Sequence, residues 1–296
     1  MPAERPKKKI AGIGQRRFQP SNPFGITQPS QKEELVSEIR QLTEFAIETV
    51  RQAGTRALDF YGKGKRQLKF DMSLVTETEL HLAQIFREQL KKQYPEHQIF
   101  QNNLETTGYT HDDKRYLWIY DPLDGVANFQ AGIPIWGISF ALLENFWPIL
   151  GIFHMPATGD FFHACAGQKA YRGDMEIRVS DQDALNDESL FLTFSRFHQR
   201  YRTTFPGKVR NLGCTGAHLS YVAMGRAEAA LLSNVTYQDL AAARVLIESA
   251  GGKIFKMDGT EFFLNEYLEG QQIDEDLLVG SPNAISQVRE FLKEQI

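Results

Sequence analysis

Trp118-Ile119-Tyr120-Asp121-Pro122-Leu123-Asp124-Gly125-Val126-Ala127-Asn128-Phe129 is the stretch on which the reading of this chain turns. Trp, Ile and Tyr in succession favour a strand, which delivers Asp121 at its end. Pro122 fixes a turn. Asp124 is the next carboxylate, Gly125 allows a close backbone approach, and the residues after it can start a short helix. Two carboxylates three positions apart at a strand end can grip one hard cation from two sides. Free N–H groups at the start of the following helix would face an anion held by that cation. An Asp-Pro turn with an Asp helix cap explains the same residues without any metal.

A second segment, Tyr237-Gln238-Asp239-Leu240-Ala241-Ala242-Ala243, runs on to Ala250-Gly251-Gly252. Asp239 falls in the first turn of an Ala-rich helix, where a carboxylate complements the helix dipole. The small side chains let that helix lie close against a sheet.

Outward from these segments, Leu35, Ile39, Leu42, Phe45, Ala46 and Val50 recur at helical spacing and predict one amphipathic helix over about 31–60. A second helix follows Thr76 and runs through Leu80, Leu82, Ile85, Phe86 and Leu90 until Tyr94-Pro95 stops it. Strands are expected at about 98–101, 116–121, 161–172 and 175–180, then at 189–194, 208–212, 228–233, 253–257 and 277–280. Helices are expected at 215–225, 237–250 and 283–294. This order reads as a single layered α+β domain over 31–296, with a mostly antiparallel half to about residue 185 and an α/β half from about 186.

The 296 residues are 42% hydrophobic and 24% charged, which excludes wholesale disorder. Two cysteines, Cys165 and Cys214, exclude a disulfide scaffold and a Cys-rich zinc site. A net charge of −4 argues against the whole chain as a polyanion binder. Residues 1–30 differ: Arg5, Lys7, Lys8, Lys9, Arg16 and Arg17 stand against Glu4, a net of +5, so the remainder carries −9. Without an apolar period, they read as a mobile basic tail, either a solvated extension or an anchor for an acidic partner. The tail has no apolar signal core, and the apolar run 133–153 is broken by Glu144-Asn145 and Pro148. Two buried strands explain that run better than a membrane span. A cytoplasmic protein without membrane elements is expected.

Taken together, the two aspartate segments resemble the inositol monophosphatase family of metal-dependent phosphatases. That family carries Asp-Pro-(Ile/Leu)-Asp-Gly-Thr-x-Asn-Phe, then Trp-Asp-x-Ala, with Ala-Gly-Gly some eleven residues after that Asp. Leu74-Val75-Thr76 and Tyr94-Pro95-Glu96-His97 match two further segments, and the resemblance runs from about Gln31 to the C-terminus. It implies an α-β-α-β-α layered fold, Mg²⁺, a small phosphorylated metabolite as substrate, and a homodimer, here expected around the 133–153 hairpin. Carried over, Asp121 would bridge two ions, the Leu123 carbonyl would complete the first, and Asp124 and Asp239 would hold the second. Gly125 and Val126 would offer N–H groups to the phosphate.

The departures fall at catalytic positions. Asn102 stands where the family has a metal-binding glutamate, and Asn103 where its acidic neighbour belongs. Val126 replaces a Thr whose hydroxyl helps to orient the attacking water, and Glu79 replaces the partner Asp of that Thr. Gln238 replaces the Trp before the metal-binding Asp, and Leu232 replaces a substrate-binding Glu of inositol-specific members. The site loses charge and a hydroxyl around one ion and its water, so one weak Mg²⁺ site is expected in place of the full set. Two functions follow as expectations: weak Mg²⁺-dependent phosphomonoester hydrolysis, or a non-catalytic pseudophosphatase that binds a partner protein or phosphorylated ligand.

Overall fold

A computed structural model of the protein describes residues 29–63, 72–100, 115–145, 147–264 and 272–294. The tail expectation falls outside them up to residue 28, and so do Asn102 and Asn103. Pro29 and Ser30, read as tail, already belong to the first helix.

The first half holds α1 (Pro29–Leu58), α2 (Met72–Gln93), β1 (Gln98–Ile99), β2 (Tyr116–Asp124), α3 (Val126–Ala131), β3 (Gly137–Glu144), β4 (Trp147–Met155), β5 (Asp160–Cys165), β6 (Ala170–Arg172) and β7 (Met175–Ile177). The second holds β8 (Leu190–Thr193), α4 (Phe197–Arg200), β9 (Tyr201–Thr203), β10 (Lys208–Arg210), α5 (Thr215–Ala223), β11 (Ala229–Leu232) and β12 (Val235–Thr236). It continues with α6 (Tyr237–Ser249), β13 (Lys253–Lys256), β14 (Gln272–Ile273), β15 (Leu277–Gly280), α7 (Pro282–Glu290) and β16 (Leu292–Glu294).

Strands β1 to β7 form one sheet in sequence order, antiparallel except for the β1–β2 pair. The second sheet runs β10-β8-β11-β15-β13, parallel through its first three strands and antiparallel beyond. Helices α1 and α2 cover one face of the first sheet, α5 and α6 lie between the two sheets, and α7 backs the second. The layers therefore follow the expected α-β-α-β-α order. On α1, Leu42, Ala46, Val50, Ala53 and Ala57 are buried at helical spacing. The stripe on α2 is narrower than its sequence suggests. Leu82, Phe86 and Leu90 are buried, while Leu80 points outward and is 63% exposed.

The apolar run 133–153 is the β3–β4 hairpin. All eight residues of β3 are buried, because β3 lies inside the sheet and both faces are covered. The apolar content of β3 is thus covered within the chain, while Ile133 of the same run is 45% exposed. At Gly151 a Cβ would lie 2.2 Å from the Ala242 carbonyl oxygen. That close approach is how the small residues of α6 seat it against β4.

Two expected elements differ. The strand expected at 161–172 is β5 and β6 joined by a turn. The helix expected at 283–294 ends at Glu290, and Leu292–Glu294 instead pairs with β9. The apolar pattern did not reveal β9, a three-residue strand in an Arg-rich segment.

Candidate carboxylate site

Strand β2 continues through Pro122 to Asp124. Asp121 pairs with Ser139 and Asp124 with Gly137, so three steps on β2 oppose two on β3. The extra residue is a β-bulge. Pro122 suits it, because proline has no N–H to lose from the ladder. The Asp121 Oδ1 accepts the Leu123 N–H at 3.1 Å, and the Leu123 side chain is buried. Gly125 then adopts φ +82, and a Cβ there would meet Cys214 Cβ and the Ile135 carbonyl at 3.0 Å. Glycine is required on both counts. The next residue, Val126, opens α3 and rests half-buried against the aromatic core around Phe129 and Trp136.

Asp124 faces the start of α5. Its carboxylate accepts the backbone N–H groups of Thr215 at 3.2 Å and Gly216 at 2.5 Å, and the Cys214 thiol at 3.3 Å. Asp239 heads α6 in a reciprocal cap: its Oδ2 accepts the Thr236 N–H at 2.7 Å, and its own N–H reaches Thr236 Oγ1 at 3.3 Å. The capping reading of Asp239 is therefore a feature of the fold.

Electrostatics ties the group together. Burial, reinforced by the charges of Asp124 and Asp239, holds the Asp121 carboxyl well above the usual carboxylate range. Burial also raises Asp124, against the opposing pull of the Gly216, Cys214 and Thr215 donors. Asp239 is pushed up to about 6, by burial first and by Asp124 second. Glu79, half-buried on α2, is raised by burial and adds its charge at Asp121. The three aspartates are thus mutually repelling, as the sequence implies for carboxylates without a cation.

The loop 211–214 was not singled out from the sequence, yet it holds the α5 terminus in place. The Leu212 N–H donates to His218 Nε2 at 2.9 Å, and the Leu212 carbonyl accepts from Asn128 Nδ2 at 2.7 Å. Burial lowers the His218 pKa to about 4 and keeps the ring neutral, so Nε2 stays an acceptor. The glycines of Gly213-Cys214-Thr215-Gly216 before an apolar helical run were the available signal. His97, flagged within Tyr94–His97, is structural: it stacks on Tyr94 and accepts the Trp118 indole N–H at 3.0 Å.

Oxygen-only, acidic donors have the chemistry of a hard-cation site. Among the described residues, however, no three His, Cys, Asp or Glu side chains form a group able to hold a metal ion. The donor chemistry fits a cation, while the arrangement commits Asp124 to α5.

Repelling carboxylates at a strand bulge and a helix start, set in a five-layer sandwich, make this an α/β protein with an acidic site. Within that class the chain belongs to the inositol monophosphatase family, whose family model matches residues 38–278. An inositol monophosphatase of Mesembryanthemum crystallinum is 30% identical over 73% of this chain and 86% of its own length. A Nus factor SuhB of Xylella fastidiosa is 29% identical over 65% of this chain and 72% of its own. Among solved structures, the extragenic suppressor protein suhB of Bartonella henselae superposes with TM-score 0.68 at 22% identity, covering 84% of this chain and 97% of that one. No helix among the described residues is long and apolar enough to cross a membrane.

Proposed function

We propose that this chain binds small phosphomonoesters at the Asp121–Asp124–Asp239 site with one weakly held Mg²⁺, and hydrolyses them at only a residual rate. The observation that carries this reading is at Asp124, whose carboxylate is taken up by the N–H groups of Thr215 and Gly216. Asp121 and Asp239 each keep an oxygen that accepts no hydrogen bond from a described residue. These oxygens would hold the ion, the Leu123 carbonyl assisting, and Asp124 would join them only by releasing the α5 N–H groups, which makes the hold weak. A bound divalent cation supplies polarisation of the phosphate ester and neutralises the carboxylates. Val126 would offer its backbone N–H to the phosphate, as would Gly125, whose N–H also bonds to the Asp124 carboxylate. The Val126 side chain offers no hydroxyl to orient water, and loss of one such donor commonly costs about 10²–10³-fold in rate. Leu232, 2% exposed in β11, gives no polar grip to an inositol ring.

The test is phosphate release from a panel of phosphate esters across a Mg²⁺ titration. Wild type is expected to turn over very slowly. The Asn102→Glu, Val126→Thr double variant is expected to gain both rate and metal affinity, the latter read by calorimetry. Robust wild-type turnover that Asp239→Asn abolishes overturns this reading.

One observation favours a non-catalytic role in a protein complex: the Xylella relative bears the name Nus factor. A homodimer belongs to the same proposal, and a monomer mass by light scattering at micromolar concentration would remove it.

A further inference from the structure

The whole-chain charge balance conceals a local excess. From Ser189 to Ala227 the sequence contains no Asp or Glu, yet holds Arg196, Arg200, Arg202, Lys208, Arg210 and Arg226. With 37 acids in 296 residues, a stretch of this length would ordinarily hold about five.

The fold sets one part of this stretch, α4 and β9, beside β16 near the C-terminal end of the described residues. Residues of α4, β9, β10 and α7 pack over a single apolar cluster that includes Phe191, Phe197, Tyr201, Phe205 and Ile285. On the β9–β16 ribbon Tyr201 and Leu292 turn toward this cluster, which directs the alternate residues outward. Those residues are Arg202 and Lys293. They are register partners, both exposed, so two like charges stand directly opposite each other across an antiparallel pair. That placement is unfavourable in isolation. Arg200 is neutralised by Asp276, and Lys208 pairs with Glu188. Arg196, Arg202, Arg210 and Lys293 are exposed and form no ion pair with another described residue.

We propose that this band, centred on Arg202 and Lys293, binds a single-stranded nucleic acid through its phosphates. An anion seated between the two side chains converts their repulsion into a shared attraction. Guanidinium groups predominate, and their planar forks match phosphate oxygens. Ser195, Gln199, Thr204 and Asn211 intersperse neutral donors in the same segment, as phosphate and sugar contacts use. The Arg202–Lys293 pair uses none of the carboxylate residues, so it stands apart from the proposed hydrolysis.

The experiment is fluorescence anisotropy of a labelled oligouridine with the full-length chain over a salt series. Arg202→Glu is the variant of choice, because it forms a cross-strand pair with Lys293 and removes both cations from the ligand at once. It is expected to melt no lower than wild type and to bind about tenfold more weakly. Its log K against log salt should be shallower by about 1.4, two phosphate contacts at about 0.7 each. Lys91→Glu on α2 is the control and should leave binding within twofold, which separates a local contact from net charge and from the tail. Equal losses in both variants overturn the proposal. So does an unchanged affinity in Arg202→Glu, or competition by polyglutamate as effective as unlabelled oligouridine, which would point to an acidic protein partner.

Discussion

Replacing Asp239 by Asn isolates the electrostatic strain of the carboxylate site. Asn keeps an oxygen for the Thr236 N–H and almost the same volume, but carries no charge. Asp239 rises from an ordinary 3.8 to about 6 in the folded chain. The folded state therefore binds more protons than the unfolded state across that interval. The stability that this carboxyl contributes is fully present below about pH 4 and is lost as the pH rises through about 6. About two units at 1.36 kcal/mol each give about 3 kcal/mol. Asp239 is half-buried, and solvent screening trims this to about 1–2 kcal/mol. Removing a negative charge from the first turn of α6 costs about 0.3–1 kcal/mol in the opposite direction. The net expectation is that Asp239→Asn is about 1 kcal/mol more stable than wild type at pH 7.5 in EDTA, and equal or slightly less stable near pH 4. Urea unfolding of both proteins across this pH range measures the gap. Added Mg²⁺ should stabilise wild type alone and close it. An Asn variant that is less stable by the same amount at every pH would refute the argument and leave Asp239 as a helix cap only.

Thr236→Ala removes the other half of the same cap and should cost about 1 kcal/mol in urea unfolding. Gly151→Ala places a Cβ 2.2 Å from the Ala242 carbonyl oxygen. The forced separation of β4 from α6 should cost about 1–3 kcal/mol, read as a lowered melting temperature. Burial pushes the Cys214 thiol well above its ordinary pKa, so native protein at pH 8 should resist iodoacetamide at this residue and label only in denaturant, as followed by mass spectrometry. Labelling at the unfolded rate would mean that α5 does not sit closed over Asp124.

The sequence by itself was enough for the layered fold, and it singled out the aspartates around which the proposed site is drawn. Both rest on local regularities. The period of Leu42, Ala46 and Val50 specifies which face of α1 is buried, and Asp-Pro-Leu-Asp-Gly carries its own turn chemistry in Pro122 and Gly125. The 133–153 run was legible as two strands, but which elements cover the two faces of β3 was not. Only the packing of α1, α2 and α6 decides that. The role of Asp124 was likewise not local: its partners at Thr215 and Gly216 lie some ninety residues away and meet it because α5 is inserted between the sheets. The same holds for Arg202 and Lys293. Nothing in the spacing of two cations so far apart in sequence says that they stand opposite each other. Their juxtaposition comes from the register of β9 with β16, which is a property of the folded chain.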